Sequence, residues 1–143
     1  MIRASIVRSR IDIDALTHEA ASASCGATAI FLGTVRDKNE GRSVKGIEYT
    51  AYDAMAEREM MLILGEAVAR YGIESGIIEH RTGELSVGDV SIALVVAHPH
   101  RGPAIEALRY IIDETKARAT IWKLEQYTDG TREWVDAGTG QPK

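Results

Sequence analysis

The chain has 143 residues, with 17 Lys plus Arg against 21 Asp plus Glu and a net charge of −4. That length fits one domain, and 45% hydrophobic with 27% charged residues is ordinary for a folded chain, which excludes collagen-like repeats and long disorder. The longest apolar runs, such as residues 92–97, fall far short of the ~20 residues that a spanning helix needs. An acidic balance argues against a general nucleic-acid binder. The one cysteine, Cys25, cannot form an internal disulfide and leaves no Cys-x-x-Cys pair. The N-terminus lacks the apolar core of a signal peptide, so a cytoplasmic protein without membrane or nucleic-acid partners is expected.

Residues 2–8 alternate like a half-buried strand. Asp12 opens a short helix through Ala21, with acidic residues in the first turn where the macrodipole favours them. Residues 26–35 form an apolar strand, 36–43 a polar loop, and 47–52 a further strand with Tyr49 and Tyr52. Asp53 is placed to cap the next helix, whose apolar stripe is Met60, Leu64, Ala67, Val68 and Tyr71, and Gly72 ends it. Residues 77–81 and 90–97 predict two strands, with 83–89 as the turn between them. Gly102-Pro103 starts a third helix, buried along Ala104, Leu108, Ile111, Ile112 and Thr115. Strands at 120–124 and 132–135 follow.

There is no repeat and no linker, so residues 1–137 are expected to form one domain, with a mobile tail over 138–143. The order β-α-β-β-α-β-β-α-β-β pairs strands without intervening helices. It predicts an α+β fold with a mixed or largely antiparallel sheet rather than a doubly wound parallel one.

Three places could carry chemistry. His98-Pro99-His100-Arg101 lies where a buried strand meets a helix N-terminus. There the free backbone N–H groups and the positive dipole end favour an anion. A solvated turn with a capping histidine, or a metal held by His-x-His, are the alternatives. Arg36 follows a strand, where a guanidinium can grip phosphate bidentately or simply pair with Asp37. Lys116 and Lys123 are two of only 5 lysines, against 12 arginines. A lysine held near apolar groups loses pKa and can act as base or nucleophile. The plainer reading has Lys116 complementing a helix C-terminus and Lys123 facing solvent. Cys25 reads as a small packed residue, and His18 and His80 as lone surface or strand-face histidines. No Walker, G-x-G-x-x-G, G-x-S-x-G or H-E-x-x-H motif is present.

Several segments together carry more. They are Gly26-Ala27-x-x-x-Phe31-x-Gly33-x-Val35-Arg36, Glu48-Tyr49, and His80-Arg81-x-Gly83-Glu84-Leu85-x-x-Gly88-Asp89. They continue with His100-Arg101-x-x-Ala104-x-Glu106-Ala107, Lys116-x-Arg118-Ala119-x-x-Trp122-Lys123-x-Glu125 and Trp134-Val135. In this order and spacing, over about residues 26–136, they resemble the catalytic (large) subunit family of molybdopterin synthase. The resemblance implies an α/β hammerhead-like core with an added antiparallel β subdomain. It implies conversion of cyclic pyranopterin monophosphate (precursor Z) to molybdopterin by insertion of two dithiolene sulfurs. The sulfurs would come from the thiocarboxylated C-terminal Gly-Gly of a small ubiquitin-like subunit, so no cofactor or metal is expected. By the same resemblance, Lys116 and Lys123 are catalytic, Arg36, His100 and Arg101 bind the substrate, and Phe31 lines the pocket. With Pro99 between two histidines, His98 competes with His100 for that position. The assembly implied is a homodimer of large subunits with a small subunit at each end, a heterotetramer. The residues alone also fit a non-catalytic module that binds a phosphorylated metabolite, which would not need Lys116 and Lys123.

Overall fold

Strand β7 (Val90–His98) is apolar on both faces because helices cover it from both sides. It pairs antiparallel with β2 (Ala27–Thr34) and β5 (Ser75–Arg81), and β5 pairs parallel with β1 (Ile2–Val7), giving the order β1-β5-β7-β2. On one face, Leu94, Val96 and Ile78 pack against Met60, Ile63 and Leu64 of α2 (Asp53–Tyr71) and Ala107 and Ile111 of α3 (Arg101–Arg118). On the other, Ile77, Ala93 and Val95 meet Leu16 and Ala20 of α1 (Ile13–Ala20). Each large apolar side chain buried in these layers contributes on the order of 1.5–3 kcal/mol. The computed structural model describes residues 1–135; the tail expected over 138–143 lies outside the described residues.

Helix boundaries follow local chemistry, with corrections. Asp12 caps α1 by accepting the Ala15 N–H at 3.1 Å. Asp53, expected as a cap, is instead the first helical residue of α2, after Tyr52, and pairs with Arg8 at 3.3 Å. Gly72 ends α2 at φ 68, the left-handed conformation a glycine accepts without steric cost. Val68, expected in the buried stripe, is 40% exposed, because the face turned to the sheet runs through Ala56, Met60, Ile63, Leu64 and Ala67. In α3, Ala107 takes the buried place, while Leu108 and Ile112 are half-buried at its flank.

The second sheet is an antiparallel half-barrel. Its order is β3 (Lys38–Asn39), β4 (Arg42–Ala51), β8 (Ile121–Tyr127) and β9 (Arg132–Val135), with β6 (Gly83–Ser86) also on β4. Two expectations are corrected here. The polar loop at 36–43 contains a hairpin, turning at Glu40 (φ 50) and Gly41 (φ 79). The expected turn at 83–89 begins as strand β6. Both strands are too short to show a period in the sequence; pairing with β4 makes them. Val35, Val44, Ile47, Tyr49, Leu85 and Tyr127 fill the concave side. The α+β architecture is thus the expected one, with β1 and β5 as the parallel pair that makes the first sheet mixed.

At Gly46 the β6 backbone leaves no room for a side chain, since a Cβ there would lie 2.6 Å from the Leu85 carbonyl oxygen, which is backbone and cannot rotate away. Gly46→Ala is expected to cost about 1–3 kcal/mol, read as a lower urea midpoint; an unchanged midpoint would show that β6 yields freely.

Candidate active site

A half-open cavity of about 370 Å³ lies where the two sheets meet the C-terminal end of α3. Four of the residues singled out in the sequence line it: Phe31, Arg36, Lys116 and Lys123. Phe31 reaches it through the alternation of β2, which turns every second side chain toward α3. Arg36 emerges just past β2, where the chain is locked. The Val35 N–H donates to the Asp89 carbonyl at 3.0 Å, and the Gly88 N–H donates to the Val35 carbonyl at 2.8 Å. The β2–β7 register shifts between Gly33 and Thr34, leaving Ser91 as the extra residue of a bulge. The Ser91 hydroxyl donates to the Gly33 carbonyl at 3.2 Å. Bulges re-aim side chains beside sites of this kind.

Lys116 sits in the last turn of α3, where a cation is favoured by the dipole, and its Nζ lies 5.9 Å from the Phe31 ring centroid. Lys123 stands directly across from Tyr49 in the β4–β8 pairing. The short turn joining the two lysines is held from α2. Glu59 accepts the Thr120 N–H at 2.9 Å and the Thr120 hydroxyl as well. Lys123 is half-buried rather than turned to solvent. Burial pushes its ammonium below the ordinary lysine value; the buried carboxylate of Glu125 opposes this, and Arg36 and Lys116 reinforce it. None of the ion pairs among the described residues involves Arg36, Lys116 or Lys123. Three cations therefore face one cavity without a neutralising partner in salt-bridge range among the described residues.

Beneath the cations the cavity is neutral. His80, only 7% exposed, is part of its lining, and its Nδ1 lies 2.9 Å from the Arg81 carbonyl oxygen. A carbonyl can only accept, so Nδ1 carries the hydrogen and Nε2 keeps a bare lone pair. Burial pushes the His80 pKa down to about 4, so the ring is uncharged at neutral pH. Tyr49 meets it edge-on at 4.9 Å. His80, expected as a lone surface or strand-face histidine, does stand on a strand, β5, but buried, and no site role was read from its sequence.

His100 and Arg101 are not brought into this cavity. They line a separate shallow hollow with Gly26, Pro99 and Gly102 at the N-terminal end of α3. Fifteen helical positions separate Arg101 from Lys116, roughly 22 Å along the axis. His98 is folded into the turn, where its Nδ1 accepts the His100 N–H at 2.8 Å, whereas the side chain of the N-cap His100 makes no cap bond and is exposed. Cys25 is half-buried, and its thiol donates to the Glu74 carboxylate at 3.0 Å. His18 is exposed near the end of α1. Among the described residues no three His, Cys, Asp or Glu gather as a metal site, and no helix is long and apolar enough to cross a membrane.

Fold and cavity together define an α+β domain with a cation-rimmed pocket for an anionic ligand. The model of the MoaE protein family matches residues 6–118. The chain is 46% identical over 121 residues to the molybdopterin synthase catalytic subunit of Pyrococcus abyssi, covering 85% of this chain and 81% of that one. It is 41% identical over 135 residues to the corresponding subunit of Oryza sativa subsp. indica, covering 91% and 70%. The crystal structure of molybdopterin synthase from Staphylococcus aureus superposes with a TM-score of 0.86 at 32% identity, covering 91% of this chain and 94% of that one. A structure of the complex of subunits 1 and 2 of molybdopterin-converting factor from Helicobacter pylori gives 0.75 at 24% identity, covering 92% and 88%, a likeness of fold. The chain belongs to the molybdopterin synthase catalytic subunit (MoaE) family, sulfurtransferases of molybdenum cofactor biosynthesis.

Buried His80 ties stability to pH. Its unfolded value is near 6.5 and its folded value near 4, so the unfolded chain takes up the proton first. The stabilisation is complete above about pH 6.5 and is lost as pH falls toward 4. Between pH 7 and 5 the wild type should lose about 2 kcal/mol from this group, measured by urea unfolding, and His80→Gln should flatten that step. An equal slope in both proteins would overturn the assignment.

Proposed function

We propose that this chain converts cyclic pyranopterin monophosphate to molybdopterin, inserting two sulfurs as a dithiolene. The observation that carries the proposal is the cation rim: Arg36, Lys116 and Lys123 face one cavity with no ion-pair partner among the described residues. Such a rim suits a phosphorylated substrate and an anionic sulfur donor alike. The donor is the C-terminal thiocarboxylate on the Gly-Gly tail of a small ubiquitin-like subunit. A tail of glycines has no side chains to admit, and exposed Lys116 stands where it can arrive. Subunits 1 and 2 of the molybdopterin-converting factor are found in complex in the Helicobacter pylori structure, which supports such a partner here.

Between them, Lys116 and Lys123 meet the thiocarboxylate and the phosphate ring as it opens. Burial keeps more of Lys123 unprotonated than an ordinary lysine, which fits it to take or pass on a proton. Arg36 grips the phosphate, and Phe31 forms an apolar wall. The sulfur is brought by the partner, so the reaction calls on no thiol or cofactor of this chain. Residues 1–137 act as one domain, in the cytoplasm.

His100 and Arg101 complete the substrate site from a second copy of the chain. Their distance from Lys116 along a rigid helix supports this, and a two-fold axis would supply both halves to each of two pockets. A small subunit at each end then makes a heterotetramer.

Incubation with cyclic pyranopterin monophosphate and the thiocarboxylated small subunit, followed by oxidation to a fluorescent pterin, tests the reaction. Lys116→Ala should nearly abolish product and Lys123→Ala should cut it sharply. Arg36→Ala should weaken substrate binding by about 1.5–3 kcal/mol. Wild-type turnover in both lysine variants would leave only a binding module. The shared pocket is tested by mixing inactive Lys116→Ala and Arg101→Ala proteins. After full subunit exchange, ~1 pocket in 4 is intact and about a quarter of the activity should return. Exchange without recovery would confine His100 and Arg101 to their own chain.

A further inference from the structure

The cavity floor is built for a different part of the ligand than its rim. Thr115 is 4% exposed and contributes to the cavity wall, yet its hydroxyl oxygen has no hydrogen-bond partner among the described residues. A buried hydroxyl left unpaired lowers stability, and beside a cavity it is open to a partner that the occupant supplies. Thr115 precedes Lys116 on α3 and both line the cavity, Thr115 buried at its floor and Lys116 exposed at its rim.

His80 gives the floor its polarity. With the hydrogen fixed on Nδ1 by the Arg81 carbonyl, Nε2 is an acceptor only, and no described residue donates to it. A phosphodiester at neutral pH has no hydrogen to offer such an acceptor, and its oxygens would meet the Nε2 lone pair unfavourably. An aromatic or amide-like N–H suits it. The neutral side chains of Tyr49 and Ser91 continue the same surface.

We propose that His80 and Thr115 are specificity residues that hydrogen-bond the fused-ring half of the substrate while the cation rim holds its phosphate. This rests on the substrate class argued above. A pterin carries an amino-oxo-pyrimidine edge with N–H donors beside a carbonyl. His80 Nε2 accepts from that edge, and the Thr115 hydroxyl donates to its carbonyl. The substrate therefore enters ring first, with its phosphate left at the mouth beside Arg36, Lys116 and Lys123.

The test is equilibrium binding without the small subunit, so that no turnover occurs. The probes are cyclic pyranopterin monophosphate, neopterin as a phosphate-free pterin, and inorganic phosphate. Thr115→Val and His80→Phe should each weaken the substrate and neopterin by roughly three- to tenfold and leave phosphate within about twofold. His80→Gln, which returns an acceptor to the floor, should recover part of the loss. Thr115→Val should also raise the thermal midpoint of the free protein, since it removes the unpaired hydroxyl without changing the shape. Wild-type affinity for neopterin and substrate in the variants, or an equal loss for phosphate, overturns the inference. A lowered midpoint in Thr115→Val with pterin binding unchanged makes the hydroxyl structural and overturns its role. If His80→Phe does not fold, Thr115→Val decides alone. Failure of the wild type to bind the substrate at all rejects the substrate class itself, and the inference with it.

Discussion

Helix α3 is rigid and 18 residues long, so its two ends address different places. Its C-terminal turn delivers Lys116 into the cavity between the sheets, and its N-terminal turn presents His100 and Arg101 at a separate hollow. Packing of Ala104, Ala107, Ile111 and Thr115 against the sheet holds the helix along its whole length, so neither end can swing toward the other without opening the core. Everything proposed about the assembly descends from that stiffness. A site that needs both ends must borrow one of them.

Charge is distributed within the cavity as firmly as shape. Its cations stand at the rim, where Arg36 and Lys116 are exposed and solvated; only Lys123 is drawn partly inside, and its proton affinity falls accordingly. Three like charges repel in the empty state, and a bound anion relieves that repulsion, so part of the binding free energy is stored as electrostatic strain before the ligand arrives. The floor makes the opposite choice. His80 is kept neutral by burial and fixed in one tautomer by a backbone carbonyl, which makes a titratable side chain an acceptor throughout the neutral range.

Long periodic segments were legible in the sequence. The three helices and the main strands follow from apolar spacing, and Gly72 marks the end of α2. The two-residue β3 and four-residue β6 were not, because their existence depends on β4 as a neighbour rather than on their own pattern. The site was legible in parts only. Phe31, Arg36, Lys116 and Lys123 stand in recognisable motifs, but their meeting depends on the β4–β8 register and on the bulge at Ser91, which are long-range facts. Helical spacing put Thr115 in the buried stripe of α3, and His80 stands in a motif segment, but the place of both at a cavity and the unpaired Thr115 hydroxyl exist only in three dimensions.

The connection from α3 to β8 consists of residues 119 and 120 alone, and Glu59 grips it from a different helix. Chain length is therefore frozen there. One residue added before Lys123 would send its side chain to the convex side of the sheet, since successive strand residues point to opposite faces, and would pull Thr120 off its anchor. Length variation within this fold has to be absorbed elsewhere, at exposed turns such as 128–131, where the strand that follows, β9, carries no residue of this cavity. The spacing Lys-x6-Lys is thus less a motif of composition than a ruler set by the turn.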